Sequence, residues 1–171
     1  MKNNGLFDLF IEELEDMFSA EKQIIEGLPE MINHATQEEL KEALEAHLKE
    51  TKNQAKRIEE IFSILGSERK SIECKAMQGL ISEAKEMMGS RKPSATLDAG
   101  IIAAAQKIEH YEIASYGTLK SFAQHLSLEK SITDLIQENL DEEGGANKKL
   151  TKIADGTFFS SGINKEAAKS R

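Results

Sequence analysis

The stretch GLFDLFIEELEDMFSAEKQIIEGLPEMIN, residues 5–33, decides the fold. Apolar residues recur in it at heptad spacing, which predicts a long amphipathic helix from about Gly5 toward Asn33. Its core stripe reads Phe7, Phe10, Leu14, Met17, Glu21, Ile24 and Leu28. Only Glu21 is charged, and a buried carboxylate must be protonated, paired or bound to a cation because burying it bare costs several kcal/mol. The alternative is a rotated helix in which Glu21 reaches solvent.

Composition indicates a single acidic, helical domain. The chain has 171 residues, of which 39% are hydrophobic and 30% charged, with two prolines and no tryptophan. Such a chain is long enough to bury a core, and its residue usage suits long amphipathic helices better than sheets. A net charge of −8 argues against nucleic acid as a partner, since phosphate contacts need clustered Lys and Arg.

The cysteine count and the hydropathy pattern bear on location. A single cysteine, Cys74, leaves no internal disulfide and fits a reducing compartment. The N-terminal residues MKNNG are polar, and no run approaches 18 apolar residues. We therefore expect a cytoplasmic protein with no membrane association.

Capping and turn residues divide the rest of the chain into helices. The second long helix is predicted from Thr36, with Glu39 completing a capping box, to Leu65, where Gly66 stops it. The helices that follow are predicted over Ile72 to Met88, Ser94 or Thr96 to Gln124, and Ser127 to Gly156. Pro29 predicts a kink or an end of the first helix near Gly27-Leu28. Residues 1–156 are predicted to form the bundle, and residues 157–171 a loose C-terminal tail that is polar except for Phe158-Phe159.

This order of helices predicts an all-α fold. Two helical hairpins are joined by a long crossover, residues 67–93, that contains the short helix. The topology is that of a ferritin-like four-helix bundle, in which carboxylates from facing helices build metal sites in the core.

Four glutamates are expected at one depth in this bundle. Glu21 and Glu50 lie 14 and 15 residues from the first predicted turn at Ala35. Glu112 and Glu142 lie 14 and 16 residues from the second turn, near residue 126. With a rise of about 1.5 Å per residue, the four carboxylates are approximately level.

An internal repeat supports the same layer. An offset of 91 residues pairs Glu21 with Glu112, and an offset of 92 pairs Glu50 with Glu142. Ionised carboxylates about 4 Å apart would repel by about 4 kcal/mol per pair at an effective dielectric near 20. Two divalent cations would neutralise the layer, and carboxylates with one imidazole suit iron, manganese or zinc.

Several segments resemble a known family, the YciE/YciF family of bacterial ferritin-like proteins, over about residues 6–155. The segments are SAEKQI (19–24), AHLKET (46–51), ECKAMQGLISEA (73–84), AAAQKIEHYEIASYGTL (103–119) and LDEEGGANKKL (140–150). The resemblance implies a rubrerythrin-related fold, a link to stress, a homodimer and a di-metal site with iron favoured. The ligands it implies are Glu21, His47, Glu50, Glu109, Glu112 and Glu142.

Three of these assignments keep alternatives. His47 either ligates a metal or hydrogen-bonds a buried carboxylate. Glu109 either completes a Glu-x-x-Glu pair on the third long helix or lies at the surface. Glu143 is expected to be the outward neighbour of Glu142, and a shift of one residue in the helix face would exchange them.

Two functions follow from this pattern. The first is a di-metal centre whose two ferrous ions react with dioxygen or peroxide. The second is a non-catalytic bundle that acts as a structural or partner-binding stress protein. The second hypothesis draws on departures from the common Glu-x-x-His motif. Here the second helix carries His47-x-x-Glu50, in reverse order, and the fourth carries Asn139-x-x-Glu142, with no histidine.

Overall fold

A computed structural model describes residues 5–157 and 160–169 of the chain. Within these ranges the chain forms six helices and two short strands. Their bounds are α1 Leu6–His34, α2 Glu38–Leu65, α3 Lys75–Gly89, α4 Ala95–His125, α5 Lys130–Asp155, β1 Gly156–Thr157, β2 Ser160–Ser161 and α6 Ile163–Ala167. None of these helices has both the length and the apolar character that crossing a membrane requires.

The four long helices form two hairpins. Helix α1 packs along α2, and α4 packs along α5. The hairpins meet through α1 against α4 and α2 against α5. The crossover helix α3 lies against α1 and α4. The predicted all-α, ferritin-like four-helix bundle with a helix in its crossover is therefore confirmed.

The stripe of α1 is buried as predicted, except at its first member. Phe10, Leu14 and Met17 are fully buried, and so is Glu21. Phe7 is 40% exposed, so its assignment to the core was wrong. It lies in the first turn of α1, where the neighbouring apolar side chains are also exposed. The heptad pattern thus extends one turn beyond the packed core.

Pro29 does not end α1. The helix continues to His34 with Pro29 inside it. The proline is on the exposed side, while Leu28 and Met31 beside it are buried. Proline removes one backbone hydrogen bond from a helix. Packing of the buried face supplies most of the stability of a helix in a protein, so the helix persists through the missing bond.

Thr36 does not cap α2, contrary to the predicted capping box. The helix begins at Glu38, after Gln37. Thr36 instead donates two hydrogen bonds to the carboxylate of Asp98, from its N–H at 2.7 Å and its hydroxyl at 2.5 Å. Asp98 is fully buried in the first turn of α4. The hydroxyl that would have capped α2 therefore ties the turn of the first hairpin to the second hairpin.

Other predicted helix ends have mixed outcomes. Gly66 ends α2 in the left-handed conformation with φ 59°, which glycine adopts without steric cost. Ser94 caps α4 by accepting a hydrogen bond from the N–H of Leu97. The prediction for Ser127 was wrong, because α5 begins at Lys130 after Glu129.

Part of the predicted tail is structured. Strands β1 and β2 form a two-stranded antiparallel hairpin, and α6 packs against α4 and α5. Ile163 is buried in the core, so the described part of the tail is not loose as predicted. A side chain at Gly162 would place Cβ 2.2 Å from the carbonyl carbon of Asp155, so this turn requires glycine. Phe158-Phe159 lie outside the described residues, and the boundary after residue 156 stays a prediction.

Candidate metal centre

Five ionisable side chains meet inside the bundle, and we call them the acidic cluster. Glu21 comes from α1, His47 from α2, Glu109 and Glu112 from α4, and Glu143 from α5. Each is 5% exposed or less. The last four each place one nitrogen or carboxylate oxygen within 4.8 Å of the others. All four long helices therefore contribute to one buried site.

Helix periodicity explains how these side chains converge. Glu109 and Glu112 lie three residues apart, which places both on one face of α4. On α1, Met17 and Ile24 are buried on either side of Glu21 along the chain. Apolar layers therefore border the cluster along α1.

Few hydrogen bonds within the protein satisfy the cluster. The Tyr116 hydroxyl donates to Oε1 of Glu21, and the buried Gln54 amide donates to Oε1 of Glu143. Nε2 of His47 lies 3.3 Å from Oε1 of Glu109. Neither ring nitrogen of His47 reaches hydrogen-bond geometry with any described residue. The histidine is therefore close to a carboxylate while its ring remains available as a ligand.

Buried polar atoms of the cluster also lack partners among residues 5–157 and 160–169. They are Oε2 of Glu21, both ring nitrogens of His47, Oε2 of Glu109, both oxygens of Glu112 and Oε2 of Glu143. Leaving one buried polar group unsatisfied costs roughly 1–3 kcal/mol. A cation could accept lone pairs from several of these atoms at once.

Burial governs the protonation of the carboxyl groups. Desolvation, reinforced by Glu143, raises the pKa of Glu109 to about 11. Desolvation also raises the pKa of Glu112 and of Glu21 well above the usual range, again reinforced by Glu143. The hydrogen bond from Tyr116 partly opposes the rise at Glu21. Without a cation, Glu109 therefore holds a proton at neutral pH, and burial favours the protonated forms of Glu21 and Glu112.

The structure separates the two glutamates between which the sequence could not choose. Glu143 is fully buried, whereas the side chain of Glu142 is 23% exposed. Both oxygens of Glu142 pair with the guanidinium of Arg57, at 2.8 and 2.9 Å. The expectation that Glu142 faces inward and Glu143 outward was therefore wrong. A one-residue step on a helix turns a side chain by about 100°.

The sequence contained a signal for this face of α5. Its buried residues follow alternating steps of four and three, and they include Ile132, Ile136, Asn139, Glu143, Leu150 and Ile153. Glu143 continues that heptad pattern and Glu142 does not. The repeat offset of 92 favoured Glu142 because it matched glutamate with glutamate.

Glu50 also lies at the edge of the cluster rather than inside it. Its side chain is half-buried, and desolvation raises its pKa. The nearby His47 lowers this pKa, and the charge of Glu142 raises it further. The predicted layer of four level carboxylates therefore has two members inside, Glu21 and Glu112. Its other two members, Glu50 and Glu142, lie at the rim.

The donor set fits a divalent cation. Oxygen and imidazole donors about 2.0–2.2 Å from an ion lie at most about 4.4 Å apart across it. One donor atom from each of His47, Glu109, Glu112 and Glu143 lies within 4.8 Å of the others, which is close to this limit. Small side-chain movements would bring all four donors to bonding distance. Carboxylates with one imidazole suit iron, manganese or zinc, so a metal ion can be held here.

Fold and site together define a ferritin-like helical bundle with a buried carboxylate–histidine cluster. The chain belongs to the family described as a domain of unknown function, DUF892, which matches residues 5–168. The resemblance to the YciE/YciF family is confirmed.

Curated and solved relatives agree with this placement. Protein YciF of Escherichia coli K12 is 42% identical over 155 residues, which are 90% of this chain and 93% of that protein. The crystal structure of the E. coli stress protein YciF superposes with a TM-score of 0.84 at 41% identity, covering 87% of this chain and 94% of that one. YcfI from Rhodopseudomonas palustris, provisionally described as a structural protein, gives 0.85 at 40% identity, covering 90% and 99%.

Proposed function

We propose that this protein binds divalent metal ions in the acidic cluster. The observation that carries the proposal is the convergence of His47, Glu109, Glu112 and Glu143 in a buried site whose lone pairs lack partners among the described residues. Structural ion pairs or hydrogen bonds would leave fewer such atoms. A cation would satisfy them and offset the repulsion between the carboxylates.

The proposed ligand set follows from position. His47, Glu109, Glu112 and Glu143 hold one ion, because their donors already converge. Glu21 would add a carboxylate for a second ion, because its buried side chain lies close enough to Glu112 for its charge to raise the pKa of Glu112. Four ionised carboxylates carry the charge that two divalent ions neutralise. The rim residue Glu50 stays a proposed additional ligand, and Glu143 replaces Glu142.

The protein's own residues would orient this site. Tyr116 holds one oxygen of Glu21 through a hydrogen bond, which leaves the other oxygen free to ligate. Gln54 holds one oxygen of Glu143 in the same way. Partners of this kind fix ligand geometry, and their loss commonly weakens metal binding. A pair of ferrous ions bound here would supply redox chemistry with dioxygen or peroxide.

Metal content followed by oxidation tests this function. Purified protein is analysed for metal, stripped, and titrated with ferrous ion without oxygen. Air or peroxide is then added while near-ultraviolet absorbance is recorded. The proposal expects up to two ions per chain and an absorbance change on oxidation. Uptake of manganese or zinc in preference to iron would reassign the metal, and no uptake would contradict the proposal.

A second function has specific support. Asn139 occupies the position on α5 that His47 occupies on α2, so α5 supplies no imidazole, and Oδ1 of Asn139 accepts a hydrogen bond from Arg57. The R. palustris relative has a provisional structural description. We therefore keep a non-catalytic, structural or partner-binding bundle as the alternative. Metal uptake without an oxidation signal would favour it.

The family resemblance extends the proposal to cellular context. The E. coli relative is described as a stress protein, and we propose that this chain also acts in stress. We further propose a cytoplasmic homodimer. Sedimentation velocity of the full chain tests the dimer, which would appear as a species of about twice the chain mass, 19.0 kDa. A monomer at all concentrations would contradict it.

A further inference from the structure

The two sides of the acidic cluster differ in how they are covered. On the α1–α4 side, the crossover helix α3 packs over the bundle. A surface cleft of about 460 Å³ between α3 and α4 is lined by no member of the acidic cluster, and the space between α3 and the core is only about 10 Å³, lined by apolar side chains such as Ile24, Ile81 and Ile108. A space of that size holds at most about one water molecule. The crossover therefore closes this side of the bundle.

A cleft opens between α2 and α5. It has a volume of about 170 Å³, enough for several water molecules. His47 and Glu109 line its inner end, and both belong to the acidic cluster. We call this space the access cleft. It connects the outside of the bundle with two of the proposed ligands.

Small residues keep the access cleft open. Its walls include Ala43, Ala46, Gly145 and Ala146. A Cβ atom added at Gly145 would meet nothing within 4 Å, so no neighbouring side chain fills the space. Glycine inside a helix costs about 1 kcal/mol relative to alanine. The access cleft supplies a reason for small residues on this face of α5.

Charged residues stand at the outer part of the access cleft. Glu50 and Glu142 line it, together with Lys149. Glu50 is half-buried, and Glu142 is held in place by Arg57. Carboxylates along a narrow passage attract cations and raise their local concentration. Glu50 and Glu142 therefore offer carboxylate oxygens to a cation in the passage, while Lys149 and Arg57 offset part of their negative charge.

We propose that the access cleft is the route by which a divalent cation reaches the acidic cluster. This inference rests on the proposed metal-binding function. A cation that enters between α2 and α5 passes the rim carboxylates Glu50 and Glu142 and first meets His47 and Glu109. The small wall residues set the rate of passage. They do not set the final affinity, because they donate no ligand.

Leucine substitutions at the walls test the route. Ala46→Leu and Ala146→Leu narrow the cleft from α2 and from α5. Ala114→Leu is the matched control, since Ala114 is exposed on α4 and does not line the cleft. Metal-free protein is mixed with cobalt(II) alone, quenched with excess chelator at timed intervals, and analysed for bound cobalt. Thermal melts followed by circular dichroism confirm that each variant is folded.

The two cleft variants are expected to take up cobalt at least about tenfold more slowly than wild type, with unchanged final stoichiometry and affinity. Affinity is preserved because a narrowed passage slows association and dissociation equally. Ala114→Leu should match wild type. If leucine prevents folding, Ala46→Val and Ala146→Val give a smaller narrowing and a smaller slowing.

Each contrary result has a distinct meaning. Wild-type rates in the cleft variants, with normal final binding, would overturn the route and leave metal binding standing. Equal slowing in Ala114→Leu would also overturn the route. No cobalt uptake by wild type would overturn the metal-binding function and the route together.

Discussion

The two hairpins of the bundle share a frame but contribute unequally to the acidic cluster. An offset of 91 residues pairs Glu21 with Glu112, and both are fully buried. An offset of 92 pairs His47 with Asn139, and both are buried. The repeat therefore preserves where polar side chains enter the core. It changes which chemical groups are placed there.

The difference lies at two other paired positions. Glu109 corresponds to Phe18 in the first hairpin, and Glu143 corresponds to Thr51. Phe18 is a core residue, and the Thr51 hydroxyl bonds the carbonyl of His47 within its own helix. Three of the four clustered carboxylates thus come from the second hairpin. The first hairpin supplies one carboxylate and the imidazole, so removing acids from the second should matter more.

The largest expected effect comes from the inner glutamate of α5. Glu143→Gln should weaken divalent-metal affinity by roughly a hundredfold or more, since a lost ligand should cost at least as much as a lost partner of a ligand. Isothermal titration with manganese measures it. Glu142→Gln is the matched control at the next residue, and it should change affinity far less because Glu142 pairs with Arg57. Equal losses in both variants would contradict the assignment of Glu143.

Removing a buried carboxyl group should stabilise the metal-free protein, although it weakens metal binding. Glu112→Leu removes a buried carboxyl group whose two oxygens have no hydrogen-bond partner among the described residues. Replacing buried ionisable groups by apolar ones of similar volume often stabilises by roughly 1–4 kcal/mol. We expect urea denaturation of the metal-free variant to show a gain in that range, together with lost metal binding.

The matched variant in the first hairpin, Glu21→Leu, should stabilise the metal-free protein less. Glu21→Leu removes the acceptor of the Tyr116 hydroxyl, which is fully buried. An unsatisfied buried hydroxyl offsets part of the gain. If Glu21→Leu proved the more stabilising of the two, the account of the paired positions would be wrong.

The raised pKa values predict a smaller effect, a change in the free energy of unfolding of the metal-free protein with pH. Burial raises the pKa of Glu109 to about 11, whereas the unperturbed value is 4.5. Between these values the folded metal-free protein holds a proton that the unfolded chain has lost. The stability that the protonated Glu109 contributes is therefore fully present below about pH 4.5 and is lost as pH rises toward 11. The free energy of unfolding should fall by up to about 1.4 kcal/mol per pH unit between these values.

Denaturation of the metal-free protein between about pH 5 and pH 9, roughly two units on either side of neutrality, measures this slope. Glu112→Leu should flatten it, because the pKa of Glu112 is raised for the same reason. Ala114→Leu, on the exposed face of α4, should leave it unchanged. A free energy of unfolding that does not change with pH in wild type would show that the cluster is not protonated when metal is absent.

The smallest effect concerns the glycine pair of α5. Gly144 and Gly145 correspond to Lys52 and Asn53 in the first hairpin, which carry side chains. Gly144→Ala and Gly145→Ala should each stabilise the protein by roughly 0.5–1 kcal/mol, because neither added Cβ would meet another atom. Thermal melts measure the gain. A loss of stability would show that the glycines are required by the backbone of α5.

Much of the fold could be predicted from periodicity. The bundle, the crossover helix and the helix ends at Gly66 and Ser94 follow from local patterns of apolar and capping residues. Thr36 and Pro29 could not be predicted in this way. The hydroxyl of Thr36 bonds Asp98, 62 residues away, and the helix around Pro29 is held by packing. Long-range contacts override local propensity at both positions.

The site was partly predictable for a related reason. Glu21 and Glu112 interrupt apolar stripes, so their burial could be expected from the sequence. The burial of Glu109 and Glu143 could not be predicted with the same precision. Successive residues are turned by about 100° around a helix axis, so either of two neighbouring glutamates fits an apolar stripe whose position is known only approximately. The heptad pattern along α5 favours Glu143 over Glu142 only when Asn139 is counted as a core residue, because Glu143 then follows it by four residues.

The central claim is that the acidic cluster holds a divalent cation. Anomalous diffraction from crystals of the full chain soaked in manganese tests it most directly. The account predicts a peak within bonding distance of His47, Glu109, Glu112 and Glu143. A map with no peak there, or with manganese only at the rim beside Glu50 and Glu142, would contradict it.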